Sequence, residues 1–157
     1  MMVKLLDTLQ LPIVSRRSTF GMDEVLIAVE DWIKTFQVLH ANGYSLLTDL
    51  CGAHFPESDA QYHVIAHVHN LQINHRIRLK TVARDNSNPQ VPSLTGLYSG
   101  ANWMERETFD FYGIQFIGHP NLTRILNSDD MTAYPMRKDF PLEDDTRDDK
   151  KDEAFGR

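Results

Sequence analysis

The stretch YHVIAHVHNLQINHRIRLK, residues 62–80, decides the fold. Over Tyr62–Asn70 the side chains alternate. Tyr62, Val64, Ala66 and Val68 form an apolar face, and His63, Ile65, His67 and His69 form the other; a period of two is the signature of a strand. Residues 71–74 make a turn. The alternation then resumes, with His75, Ile77 and Leu79 on one side and Arg76, Arg78 and Lys80 on the other. His75 interrupts the apolar side, so the register is least fixed at that end. Two such runs joined by a short turn predict an antiparallel hairpin.

Working back towards the N-terminus, residues 44–51 read as a second strand and 52–59, with Pro56, as a loop. Residues 24–30 alternate with Val25, Ile27 and Val29 on one face, which suggests a further strand. Asp31 is placed to cap a helix running to Ala41, with Trp32, Phe36 and Leu39 at helical spacing and Gly43 as its stop. Residues 4–10 could form a short helix ended by Pro12, and 13–21, with Arg16 and Arg17, look like a linker. Working forward, 84–92 is a polar loop, Ser93 caps a short turn before Gly96, and Gly100 leads into a helix over 103–112. The order strand, helix, three strands, helix predicts an α+β fold. The expected architecture is a mainly antiparallel four-stranded sheet with helices on one face, followed by an extended C-terminal arm. The expected divisions are an N-terminal segment and linker over 1–21, a compact domain over 22–113, and an arm with a charged tail over 114–157.

The C-terminal third carries the least regular pattern. Arg106 and Asp110 stand four apart on the expected helix, where opposite charges support each other, and Gly113 is a natural stop. Beyond it, Pro120, Pro135 and Pro141 push the residues before them towards extended backbone. Yet Ile114, Phe116, Ile117, Leu122, Ile125, Leu126, Phe140 and Leu142 are apolar and need burial. Long irregular segments are usually functional or disordered. Either this arm folds back over its own domain, or it lies across another protein, which is the sharper expectation. The last stretch, 143–157, is nearly all charge of both signs and is expected to order only on a partner.

Composition narrows the function. The chain has 157 residues, 41% hydrophobic and 24% charged, with a net charge of −6. That is an ordinary globular balance, and the acidic net charge argues against a general nucleic-acid binder. Cys51 is the single cysteine, so no internal disulfide and no cysteine-ligated iron–sulfur cluster forms within the chain, which fits a reducing compartment. No run approaches a membrane span, and the start does not read as a secretory signal. Neither a GxGxxG fingerprint nor a Walker lysine occurs. Glu105, Glu107 and Asp110 could be acid–base carboxylates, but residues two apart on a helix diverge, so an ion-pair or interface network is the better reading. His63, His67 and His69 share a strand face and suggest zinc or copper, although no cysteine or carboxylate ligand stands beside them. Arg137 and Lys138, flanked by Asp139, read as charges that fix a docking register.

The same third carries a family resemblance. The residues are Glu105-Arg106-Glu107, Asp110, Gly113-Ile114, Gly118-His119-Pro120, Arg124-Ile125-Leu126, Asp129-Asp130 and the run Pro135-Met136-Arg137-Lys138-Asp139-Phe140-Pro141-Leu142. Together they resemble the signature of the C subunit of the proton-pumping NADH–quinone oxidoreductase, respiratory complex I. Ala133 stands where that pattern has glycine, Met136 where it has leucine. The resemblance implies a non-catalytic scaffold in the hydrophilic arm of the complex. It implies docking on the D subunit, which helps form the quinone site, and no cofactor in this chain, with FMN and iron–sulfur clusters in partner subunits. Membrane association would be indirect, on the cytoplasmic side of the inner membrane. The expected partner-binding residues are Glu105, Arg106, Glu107, Asp110, His119, Arg124, Arg137, Lys138, Asp139 and Phe140. Two other readings stay open: a similar subunit of a membrane-bound hydrogenase or ferredoxin-fed relative, and a stand-alone metal enzyme built on the histidine strand.

Overall fold

The computed structural model describes residues 8–141. Most of the expected 4–10 helix, Leu142 and the 143–157 tail lie outside them. The chain is α+β. Its main sheet has five strands: β1 (Ile13–Thr19), β2 (Met22–Ile27), β3 (Leu46–His54), β4 (Tyr62–Asn70) and β5 (His75–Val82), in the order β1-β2-β5-β4-β3. Helix α1 (Trp32–Ala41) carries the chain from β2 across to β3 at the far edge. Strands β3, β4 and β5 then meander back until β5 lies parallel to β2. This is a split β-α-β arrangement.

The sheet is therefore mixed and five-stranded rather than mainly antiparallel with four strands. Two features of the chain account for the difference. The segment read as a linker contains β1, whose sequence IVSRRST shows no alternating apolar face because it pairs on one edge only and buries little. Its turn is also cryptic. Thr19 faces Met22 across Phe20 and Gly21, which have φ of 53° and 76°. Two successive positive φ values make the tight hairpin turn that matches strand twist, here with phenylalanine where asparagine or aspartate is usual. The parallel β2–β5 pair, in turn, cannot be inferred from alternation alone, which does not encode strand direction.

The hairpin over 62–80 is as expected. Val64 faces Thr81, Ala66 faces Leu79 and Val68 faces Ile77, and all six side chains are buried. Trp32, Phe36 and Leu39 of α1 pack on the same face, as do Tyr44, Leu50 and Val25. Asp31 makes no side-chain cap; a short 3-10 turn over Val29–Asp31 feeds the helix instead.

Helix α2 (Ala101–Tyr112) packs against β3 on the core side. The approach is close because Gly52 has no side chain: a Cβ there would lie 2.7 Å from the Tyr112 ring and 2.9 Å from the Thr108 methyl. A short parallel pair, β6 (Gln90–Pro92) and β7 (Gln115–Ile117), joins the segments before and after α2. The polar loop expected over 84–92 thus ends in a strand, and the arm expected from residue 114 begins inside the core. Ile114 and Phe116 are buried in the chain's own hydrophobic cluster, with Leu122 packed against it. For these residues the fold-back alternative is the correct one.

Candidate functional site

The expected site residues gather around α2 and the segment that follows it. Gly113 ends the helix in the left-handed region, φ 73°, and its amide donates to the Phe109 carbonyl at 2.8 Å. The turn aims the chain back along the helix, where buried polar groups hold it.

Asp110 is the centre of this arrangement. It has no solvent exposure, and both carboxylate oxygens are occupied. Oδ1 accepts from Arg124 Nη1 at 2.7 Å and from the Asn127 side-chain amide at 3.0 Å. Oδ2 accepts from the backbone amides of Ile125, Leu126 and Asn127 at 3.0, 2.8 and 2.9 Å. Burial alone would push this carboxyl up, but the amide hydrogen bonds outweigh it and hold Asp110 well below the usual carboxylate range. Arg124 is held in turn by the carbonyls of Asp110 and Ala133 at 3.0 Å each, and lies over the Tyr134 ring. Positive φ outside glycine occurs, among the described residues, at Gln10, Phe20 and Asn74. Ala133 is not one of them, so the absent glycine costs the backbone nothing there.

Arg106 does not pair with Asp110, as the four-residue spacing suggested. Its Nε and Nη2 donate to the carbonyls of Thr123 and Arg124 at 3.0 and 2.8 Å, and its guanidinium lies 5.3 Å from the Trp103 ring centre. The arm presents two carbonyls to Arg106 and takes Asp110 for its own arginine, a long-range exchange that local spacing cannot reveal.

Glu105 is buried on the opposite side of α2. Its carboxyl accepts from the Ser93 hydroxyl and the Leu94 amide, both at 2.6 Å. Burial pushes it up to about 7, only partly offset by those two hydrogen bonds. Ser93 also accepts from the Thr95 amide at 3.2 Å, so the turn expected at Ser93 forms and is tied to the helix through Glu105.

A second fastening closes the arm further on. Arg137 donates to the Tyr112 carbonyl at 2.7 Å and lies over two rings, Tyr134 at 4.3 Å and Tyr62 at 5.0 Å. The Lys138 amide donates to His54 Nδ1 at 3.0 Å, and His54 stacks on Tyr62. Gly113 lies directly beneath: a Cβ there would collide with the Arg137 guanidinium and approach the Tyr134 ring to 2.7 Å. His119 Nε2 meets the Asn102 carbonyl at 3.1 Å, and its Nδ1 accepts from the Asn121 amide at 3.1 Å.

The expected residues thus divide in two. Glu105, Asp110, Arg124 and Arg137 turn inward and shape the arm, as do Arg106 and His119 to a lesser degree. Glu107, Lys138 and Asp139 face solvent, and Phe140 is half-buried. Of the arm's apolar residues expected to need a cover, Leu126 at 64% and Ile117 at 55% are exposed; reasoning from the sequence missed Trp103 at 61% and Met136 at 51% beside the charged positions. Their signal was present in the sequence as apolar residues flanking charged ones; what sequence could not give was which of them the domain itself covers.

The histidine strand does not assemble a site. His63 Nε2 meets the Ala60 carbonyl, His67 Nε2 accepts from Arg78, and His69 Nε2 meets the Asn74 side chain. No group of three or more histidine, cysteine, aspartate or glutamate residues among the described residues could hold a metal ion. Cys51 is half-buried, and burial, with Asp49 nearby, pushes its thiol up, away from thiolate chemistry.

The family model described as "Respiratory-chain NADH dehydrogenase, 30 Kd subunit" matches residues 25–146. Among curated relatives, the NADH-quinone oxidoreductase C subunit of Phenylobacterium zucineum (strain HLK1) is 44% identical over 101 residues, covering 64% of this chain and 47% of that protein. Its counterpart in Methylobacterium sp. (strain 4-46) is 40% identical over 144 residues, covering 88% of this chain and 65% of that protein. The chain thus spans about half the length of the first of these relatives. Two solved structures share the fold at low identity. One is the trypsin-resistant fragment of Nqo5, with a TM-score of 0.70, 22% identity, and coverage of 77% of this chain and 98% of that one. The other belongs to the membrane-bound sulfane sulfur reductase, an archaeal respiratory membrane complex, with a TM-score of 0.78, 19% identity, and coverage of 90% and 86%. With the family model covering most of the sequence, the chain belongs to the respiratory-chain NADH dehydrogenase 30 Kd subunit family.

Proposed function

We propose that this chain is a non-catalytic scaffold subunit of a proton-translocating NADH–quinone oxidoreductase. In this reading it sits in the hydrophilic arm, docks on the D subunit at the quinone site through residues 114–157, and supports electron transfer from NADH to quinone. Electrons travel through FMN and iron–sulfur clusters in other subunits, and the chain meets the inner membrane only through the complex, on its cytoplasmic side. Among the described residues, no helix is long and apolar enough to cross a membrane.

The observation that supports docking is the contrast within the arm. Its polar residues, Arg124 and Arg137, are consumed in holding its shape. Its apolar residues Leu126 and Met136, like Trp103 on α2, are left largely exposed. A rigid backbone that presents uncovered aromatic and aliphatic side chains is pre-organised for a protein partner, because less entropy is lost on binding.

The test is co-purification of the tagged D subunit with the double variant Trp103→Ala/Leu126→Ala, both changes lying at exposed positions. Reduced recovery of the complex with unchanged circular dichroism of the isolated chain supports the reading; full recovery overturns it. A second reading places the chain in a related membrane complex with a different electron donor, favoured by the fold shared with the sulfane sulfur reductase. Mass spectrometry of the purified complex separates the two, since only the first contains a flavin-bearing NADH-oxidising subunit.

A further inference from the structure

We propose that the open face of the five-stranded sheet is a second docking surface, built for an acidic polypeptide segment and independent of the arm. Both helices pack on the other face. The open face is formed by the alternate residues of each strand. Arg76, Arg78 and Lys80 come from β5, His63, Ile65, His67 and His69 from β4, Glu24 and Leu26 from β2, Arg17 from β1 and Asp49 from β3.

Charge on this face runs against the rest of the molecule. The chain as a whole carries −6, whereas here four cations meet two carboxylates. The centre is Glu24, which is only 5% exposed although it lies on the open side. Arg17 donates to it at 2.6 Å and Arg78 at 3.0 Å, with Lys80 Nζ at 3.6 Å. Burial would raise this carboxyl, but Arg78, Lys80 and Arg17 together bring it below its ordinary value, so it stays charged. One carboxylate shared by three cations leaves the cluster positive. Asp49, 3.6 Å from His67, is the second carboxylate of the same face, and the four cations still outnumber the two.

The shape fits an extended chain. A cavity of about 370 Å³ runs across β1, β2, β5 and β4, lined by Arg17, Glu24, Leu26, His63, Lys80 and Val82 among others. Its floor is apolar at Leu26 and Val82, and its walls are cationic. An extended segment with carboxylates on alternate residues points them all to one side, where they would meet Arg17 and Lys80 at the cavity and Arg76 beyond its rim on the same face. Complementary potentials of this kind set specificity and association rate. A flat anionic bilayer fits less well, since the recessed floor would stay uncovered and the remaining acidic surface would be brought close to it.

The test is an amide-shift NMR titration of the full chain with a short peptide of alternating glutamate and alanine. A lysine–alanine peptide and phosphatidylglycerol vesicles run in parallel. The expected result is shifts confined to residues near 15–17, 24–26, 63–65 and 76–82, weakened by added salt because exposed charges are screened. The variant Arg17→Ala/Arg76→Ala keeps Arg78 and Lys80 on Glu24 and so retains the fold; it is expected to bind about tenfold more weakly. No shift on this face, equal binding by the double variant, or binding of vesicles in preference to the peptide overturns the proposal. Because none of these readouts involves the arm or the D subunit, they are independent of the function proposed above.

Discussion

Arg124 donates to Asp110 at 2.7 Å across a separation of 14 residues, and neither side chain is more than 9% exposed. A pair so buried is stabilising only when the remaining hydrogen-bonding capacity of both partners is filled. Here three arm amides and the Asn127 side chain fill the Asp110 oxygens, and two carbonyls accept further from Arg124.

Asp110→Ala is therefore expected to be severe. It strands Arg124 and three backbone amides at once, and losing one partner of a buried pair costs about 3–5 kcal/mol. Arg124→Ala leaves the amides on Asp110 and is expected to cost less, about 1–3 kcal/mol. Urea unfolding of the two variants checks the ranking, and limited proteolysis should show earlier cleavage within 118–141 for Asp110→Ala.

Stability is expected to depend on pH with two opposite signs. Asp110 is held below its ordinary value of 3.8. Its contribution is present above that value and is lost as the pH falls below it. Glu105 is raised from 4.5 to about 7. The folded state favours its protonated form, so this contribution is full below 4.5 and is lost as the pH rises towards and through 7. Glu105→Gln retains an acceptor for Leu94 and a polar partner for Ser93 without a charge to bury. It should match the parent near pH 4.5 and exceed it at pH 8 in chemical-denaturation midpoints. A parent that is no less stable at pH 8 than the variant would rule this out.

Gly113→Ala and Gly21→Ala form a controlled comparison. Both glycines have positive φ, 73° and 76°, so each alanine pays the left-handed penalty of about 1–2 kcal/mol. Nothing lies within 4 Å of a Cβ at Gly21, whereas one at Gly113 meets Arg137 and Tyr134. The Gly113 variant should lose more stability than the Gly21 variant, and should also release Arg137 from the Tyr112 carbonyl. Thermal midpoints measure the first effect, and the ring resonances of Tyr134 by NMR measure the second.

Gly52→Ala tests the contact between β3 and α2. Its Cβ would press on Tyr112 and Thr108 from within a strand, where the backbone has little room to yield. Overpacking of this kind costs about 1–3 kcal/mol. Thr108→Ala in the same background removes the 2.9 Å contact and should recover part of the loss; additive effects in a double-mutant cycle would show that the two residues do not share this contact.

Periodicity made the centre of the sheet legible. His63 through Val68 and Arg76 through Leu79 alternate cleanly because one face is buried and the other is not. Gly113 was legible for a similar reason, since a left-handed helix end leaves a chemical mark in the sequence. What failed were features fixed by distant partners. Strand β1 carries polar residues on both sides because it is an edge. Arg106 was assigned to Asp110 because the two stand four apart, while the arm, from residues beyond 120, competes for both. Phe116 turns to the core and Ile117 to the surface within β7, whose pairing with β6 involves residues 25 positions apart. The cation-rich ring around Glu24 joins three strands, and no local window of sequence contains it.

The short β6–β7 ladder has a mechanical consequence. It ties the chain on both sides of α2, so tension applied at the C-terminal end meets its restraints in series. The clasp of Arg137 and Lys138, fastened to Tyr62 of β4 and His54 of β3, stands first in that series, the Asp110 cluster second and the strand pair beside the core last. A pull on that end is therefore felt at the β3–β4 edge of the sheet before it is felt at the ladder.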